Sequence, residues 1–282
     1  MENISFSDLK NKVCVITGGC GVFGGIFSMA MIEAGAKVAI LDYKKGRCEE
    51  CSRGMAKTGG VPVLCVLGNV LEKESLLSAK NEINKEFGKI DILINGAGGN
   101  APTATTKEEF ITEENVTDLS RSFFGLDLDG FRNVFDLNFL GTVLPTMVFA
   151  EDMLLRGGSV INISSMNSFR PLTKVAAYSA AKASVNNFTQ WLAVHFAKVN
   201  VRVNAIAPGF FLTNQNRFLL TDEKTGELTA RGNKIISGTP MNRFGEPEEL
   251  IGTLLYLSSD ISKFVTGIVI PVDGGFSAYS GV

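Results

Sequence analysis

The chain has 282 residues, 45% hydrophobic and 20% charged, with a formal charge of −2. That composition supports a large core and supplies no basic field to hold nucleic acid or an anionic membrane. Residues 1–12 are polar without an apolar leader core, no uninterrupted apolar run approaches the roughly 20 residues of a membrane helix, and the five cysteines cluster early as a poor disulfide framework, so a soluble protein of a reducing cytoplasm is expected.

The first strand is expected at 13–17, running into Gly18-Gly19-Cys20-Gly21-Val22-Phe23-Gly24-Gly25 and a helix at 23–34. Glycines let backbone N–H groups approach a pyrophosphate at a helix N-terminus, where the dipole favours anions. Taken alone, such a turn is as well explained by tight packing. A second strand at 37–42 ends in Asp42, which can accept hydrogen bonds from a ribose and repel a 2′-phosphate, favouring NAD over NADP; Lys44 and Lys45 weaken that preference. The helix at 46–57 carries Cys48-x-x-Cys51, metal or redox spacing with no second pair, read as incidental on a surface helix. Strands at 62–67 and 90–95 flank a helix at 73–87, and a long helix is expected at 131–155. Further strands at 159–164, 202–207 and 267–272 alternate with helices at 178–199 and 247–257. Nearly all-apolar strands alternating with amphipathic helices give one α/β domain, a Rossmann-like doubly wound parallel sheet of seven strands flanked by helices. Residues 98–130 and 210–240 fit no strand–helix unit and are read as an active-site insertion and a substrate lid.

Tyr178 and Lys182 lie four apart, on one helix face. A nearby ammonium favours a phenolate, lowering the tyrosine pKa toward that of a general base. Such pairs are usually solvated surface; here the pair follows a buried strand entering Ser165. At this point the sequence resembles the short-chain dehydrogenase/reductase family along nearly its whole length. The matching pieces are Thr17-Gly18 with Gly24, Ile94-Asn95-Gly96-Ala97-Gly98, Asn138 with Gly141, Asn162-Ile163-Ser164-Ser165 and Tyr178-Ser179-Ala180-Ala181-Lys182, with Val203-Asn204, Pro208-Gly209 and Val272-Asp273-Gly274-Gly275 beyond them.

The resemblance implies a nicotinamide oxidoreductase. Tyr178 becomes the general acid/base, Lys182 its electrostatic partner and ribose ligand, Ser165 (rather than Ser164) the group on the substrate oxygen, and Asn138 the holder of a proton relay. NAD would lie along Gly18, Gly21, Val22, Phe23, Gly24, Asp42, Tyr43, Asn69, Val70, Asn95, Gly96, Ala97, Tyr178, Lys182, Pro208, Gly209, Phe211 and Thr213; among these, Asn69 would touch adenine and Thr213 the carboxamide. Three positions depart from the family pattern: Val22 replaces the middle glycine of the turn, Gly96 replaces an asparagine, and Asn69 stands where aspartate is commoner.

His195 is the only histidine, read as packing, which argues against a Ser/His/Asp hydrolase or a histidine metal site; no metal is expected. Phe123, Phe124, Phe131, Phe135 and Phe139 are read as core and lid packing. The polar, cationic cleft loops offer Asn100, Asn167, Arg170, Lys174, Asn214 and Arg217 to a hydroxylated anion, one cation pairing its carboxylate. The long insertion, Val134-Phe135-Asp136-Leu137-Asn138, Ser165-Met166-Asn167 and Pro208-Gly209-Phe210-Phe211-Leu212-Thr213 resemble one branch, the D-mannonate oxidoreductases or fructuronate reductases. That implies interconversion of D-fructuronate and D-mannonate by a homodimer or homotetramer. A gluconate 5-dehydrogenase-like activity is the runner-up, and a non-catalytic NAD-sensing protein is the alternative of another class.

Overall fold

The computed structural model describes residues 5–59, 63–213, 216–222 and 225–281. Among these, seven strands form one sheet: β1 (Val13–Thr17), β2 (Lys37–Asp42), β3 (Val63–Leu67), β4 (Ile92–Asn95), β5 (Gly158–Ile163), β6 (Val201–Pro208) and β7 (Val269–Val272). Their order is β3-β2-β1-β4-β5-β6-β7 and every pairing is parallel. The chain starts mid-sheet, winds to one edge, and returns to build the other half from β4 outward. Thr17 pairs level with both Leu41 and Asn95, so the ends of β1, β2 and β4 open together at the switch point where doubly wound folds bind ligands.

The apolar strands read as buried on both faces because they are. Ile16 and Ile40 point into one core with Phe27 and Met31 of α1 (Val22–Glu33) and Leu254 of α9 (Ile251–Ser258), whereas their neighbours Val15 and Leu41 point into the other. That second core contains Leu76 and Ile83 of α3 (Lys73–Glu86), Phe149 of α5 (Leu140–Phe149) and Leu192 of α6 (Ala176–Phe196). The remaining helices are α2 (Lys45–Gly59), α4 (Leu128–Asn138), α7 (Arg217–Leu220) and α8 (Ala230–Ser237).

The expected helix at 131–155 is instead two helices, broken at Phe139 (φ −98°, ψ −60°). At the break the Thr142 amide bonds to Phe139 O, and Asn138 O receives the Thr142 hydroxyl instead, a back-bond that bends helices. The stretch Leu128–Met153 is long and apolar enough on average to cross a bilayer, but polar residues interrupt it and half of its most apolar window is buried, as in a core helix. Cys48 is no incidental surface thiol: it is fully buried and disulfide-bonded to Cys65, tying α2 to β3. His195 is exposed and stacks on Trp191, so it packs on the surface and not in the core. Phe131, Phe135 and Phe139 are half-buried as packing requires, whereas Phe123 and Phe124 are 63% and 68% exposed.

Candidate active site

The first turn is built by what its glycines leave out. Gly18 has φ +65°, and its N–H donates to Leu41 O, holding the turn beside β2. A Cβ on Gly24 would lie 2.2 Å from Gly18 O, so only glycine lets α1 start this close. Gly21 is the extended N-cap and Val22 the first helical residue, so Gly21 takes over the opening that the family's middle glycine would make. Phe23 packs edge-on against Phe211, centroids 5.6 Å apart. Asp42 closes β2 with its carboxylate accepting from Lys44 N–H; the residue is buried, and Tyr43 beside it is exposed. A Cβ-free amide turn with a buried carboxylate one strand away fits a dinucleotide: amides for the pyrophosphate, Asp42 for the ribose.

After β4, Thr17 Oγ1 accepts the N–H groups of both Gly96 and Ala97, drawing the loop onto β1. A Cβ at Gly96 would sit 2.9 Å from Thr17 O, which accounts for glycine where the family has asparagine. Asn95 turns inward, donating to Thr146 and Asn162 from the sheet floor.

Beyond that floor lie the reacting groups. The Tyr178 hydroxyl is hydrogen-bonded to Ser165, whose Oγ also accepts Asn167 N–H at 3.2 Å. Ser164 is spent elsewhere, donating to Asn186 Oδ1, so Ser165 alone of the two is free for substrate. Lys182 Nζ donates to Ile163 O at 2.7 Å and stands 5.7 Å from the Tyr178 ring centre. The Asn138 side chain is fully buried and clasps Gly99, donating to its carbonyl and accepting from its N–H. Ala101 and Ala104, at the start of the insertion, pack with Val134, Ala177 and Tyr178, so the insertion begins on the catalytic helix.

Burial governs the electrostatics. It lowers Lys182 to about 8, and it raises Tyr178, with the Ser165 bond opposing. The expectation that Lys182 lowers the tyrosine pKa is therefore corrected: desolvation of the half-buried phenol outweighs an ammonium that is itself weakened by burial. A raised tyrosine is a proton donor at neutral pH, suited to protonating a carbonyl oxygen held by Ser165.

A family profile described as enoyl-(acyl carrier protein) reductase matches residues 24–277. The chain belongs to the short-chain dehydrogenase/reductase family. It is 51% identical over 277 residues to an uncharacterized oxidoreductase of Haemophilus influenzae, covering 98% of this chain and 96% of that protein. It superposes with a TM-score of 0.93, at 50% identity and 98% coverage of both chains, on a Haemophilus structure provisionally described as a D-mannonate oxidoreductase with bound NAD. A gluconate 5-dehydrogenase from Burkholderia cenocepacia, in complex with NADP and tartrate, is 26% identical over 97% of this chain and 99% of that one, with a TM-score of 0.82. As a short-chain oxidoreductase the protein acts on CH–OH groups with a nicotinamide cofactor, which when bound carries the hydride.

The other expected positions are placed as follows. Pro208 ends β6, and a Cβ on Gly209 would lie 2.6 Å from Asp273 Cα, which brings the two glycine-rich C-terminal turns together. Phe211 bridges Gly245, and Thr213 starts a turn closed by Asn216. Val70 is buried, and a Cβ added at Gly141 would lie 3.1 Å from its side chain. The Asn69 amide caps its own loop, donating to Glu72 Oε1 and accepting from Leu71 N–H. Asn100 donates to Thr105, Arg170 to Tyr279 O and Lys174 to Lys107 O, so two of the three proposed cations brace the tail and the insertion. Arg217 is exposed with no side-chain partner among the described residues. Asn214 lies outside them.

Sequence reasoning quoted Thr17 and Gly98 as motif pieces without giving either a role, and missed Asn186 altogether. Gly98 had the clearest signal, a glycine closing the β4 motif: a Cβ there would meet Asn138 Oδ1 at 2.6 Å and Lys182 Nζ at 3.3 Å.

Proposed function

We propose that the protein reduces a keto sugar acid to the hydroxy acid with NADH, with D-fructuronate and D-mannonate as the pair. The observation that carries this reading is Asn167. It stands beside Ser165, only 7% exposed as a residue, and its side-chain amide makes no hydrogen bond among the described residues. The amide's two donors and its acceptor are thus uncommitted, and the hydroxyls of a polyhydroxylated ligand would pair them. Arg217 is the cation best placed by availability to meet the carboxylate, since Arg170 and Lys174 are occupied by carbonyls. The NAD-bound structure described as a D-mannonate oxidoreductase supports the same pair. Asp42 supports NAD over NADP, and the soluble nicotinamide pool such a reaction draws on supports a cytoplasmic setting.

In the reductive direction Ser165 holds the carbonyl oxygen and Tyr178 gives it a proton while hydride arrives at carbon. Lys182 steadies the phenolate left behind, and protons return through the Asn138 side of the site. Steady-state kinetics on a panel of keto acids and neutral ketoses test the assignment. Fructuronate should exceed fructose in kcat/KM by about tenfold or more, because a charge-assisted hydrogen bond to the carboxylate contributes roughly 1.5–3 kcal/mol. Equal efficiency would remove the sugar-acid assignment, and preference for 5-keto-gluconate would move it to the gluconate 5-dehydrogenase reading.

A further inference from the structure

Four of the five cysteines gather beneath the nucleotide turn. Cys48 and Cys65 are already joined, but Cys20 and Cys51 are free, partly buried thiols that pack against the same core where α2 meets the turn. Cys20 belongs to the turn itself, between Gly19 and Gly21, and Cys51 belongs to α2. The Cys51 thiol also points at Gly19 O, 4.0 Å away, and Arg47, one turn earlier on α2, donates to Cys20 O at 2.6 Å. The outer edge of the turn is thus fastened to α2 by Arg47, with the two thiols lying alongside. Nothing in the dehydrogenase chemistry above uses either thiol.

We propose that Cys20 and Cys51 form an oxidative modification site, closing to a disulfide that weakens dinucleotide binding. The two thiols are unequal. Cys51, accepting from Cys20 and facing Arg47, is lowered to about 7, whereas Cys20 is pushed well up, so Cys51 is the attacking thiolate. It attacks one sulfur of a low-molecular-weight disulfide and expels one thiolate. Cys20 then loses its proton and attacks Cys51 sulfur, expelling the second thiolate. The protein loses two electrons and two protons, and the small disulfide becomes two thiols. Closing the gap between these neighbouring thiols to an S–S bond of about 2 Å draws the turn toward α2. Gly18, Gly19 and Gly24 touch without side chains between them, so the turn has no slack, and its amides move off the pyrophosphate position. By linkage, bound NADH must protect the thiols as much as oxidation weakens NADH. The proposal concerns the nucleotide end only and holds whichever alcohol is the substrate.

The experiment incubates the protein with oxidised glutathione or with dithiothreitol, maps disulfide-linked peptides by mass spectrometry, and titrates NADH by fluorescence. Expected are a Cys20–Cys51 peptide, a rise in NADH Kd of about tenfold or more, and slower oxidation with NADH present. Cys51→Ser should bind NADH like the reduced protein and ignore the oxidant. Absence of that peptide, a glutathione adduct on Cys51 with Cys20 free, or the peptide with unchanged Kd would each overturn the proposal. So would loss of affinity in Cys51→Ser, or loss that follows the Cys48–Cys65 bond in the same peptide map.

Discussion

At the residue scale, the site is a set of polar groups held against their own desolvation. Lys182 shows this most sharply: its pKa falls from 10.5 to about 8 by burial. The folded state therefore binds fewer protons than the unfolded chain between about pH 8 and 10.5, so this group's contribution to stability rises with pH across that window and is least favourable below it. Lys182→Met should remove that cost at pH 7, on the order of 1–2 kcal/mol after the lost bond to Ile163 O offsets part of it. Thermal melts of the cofactor-free protein should show the variant more stable at pH 7, the gain shrinking toward pH 10, with turnover lost. A variant less stable than wild type at pH 7 would mean that burial does not strain the ammonium. Asp42 is the corresponding test at the nucleotide end. Asp42→Ala should raise the KM for NADH by about tenfold, as loss of charge-assisted hydrogen bonds does, and should raise relative use of NADPH. A wild type that already prefers NADPH would contradict the ribose assignment.

At the element scale, the strands were legible because a parallel strand covered on both faces is a plain apolar run, and β1 and β2 fall where that pattern ends. Helical spacing put Tyr178 and Lys182 on one face, but the buried strand entering Ser165 and the family resemblance were needed to give the pair a role. The break between α4 and α5 was not legible, since periodicity carries no record of one threonine diverting one carbonyl. Nor was the direction of Arg170 or Lys174, because a long cation takes whichever carbonyl the tertiary fold presents. Lys234 of α8, likewise, meets Glu109 of the insertion across 125 residues of sequence. The β4 loop shows how little room such an element has. Gly98→Ala would push a methyl group toward Asn138 Oδ1 and Lys182 Nζ. Because displacement of catalytic groups by about 1 Å can cost about 100-fold, kcat should fall between about tenfold and 100-fold with a melting temperature near wild type. Unchanged kcat would show that neither group depends on that spacing.

At the scale of the whole molecule, one surface is apolar in a way the fold of a single chain does not use. Rings run in contact from Phe139 through Phe188 and Trp191 to His195, crossing from the α4–α5 break onto α6. Trp191 is 58% exposed and Val194 78%, and Leu140 and Met147 of α5 are exposed as well. We propose that this exposed apolar surface is an association site, since large exposed apolar patches are commonly covered by a partner. The two helices that carry it also carry Asn138's neighbours and Tyr178, so a partner here would brace the catalytic helix from behind. We expect a second copy of this chain as the occupant, because an isologous contact lets one patch cover itself. A stable pairing needs about 800 Å² from each copy, led by a few aromatic anchors near its centre. Trp191 fits that description. Light scattering should give a mass at least twice the 30.3 kDa of the chain. Replacing Trp191 and Val194 with Asp and Lys should return the monomer mass. Activity of that variant should fall with dilution before its NADH affinity does, since α6 loses its support while the nucleotide turn keeps its own. A wild type that elutes and scatters as a monomer at micromolar concentration would leave the ring ladder as surface packing alone.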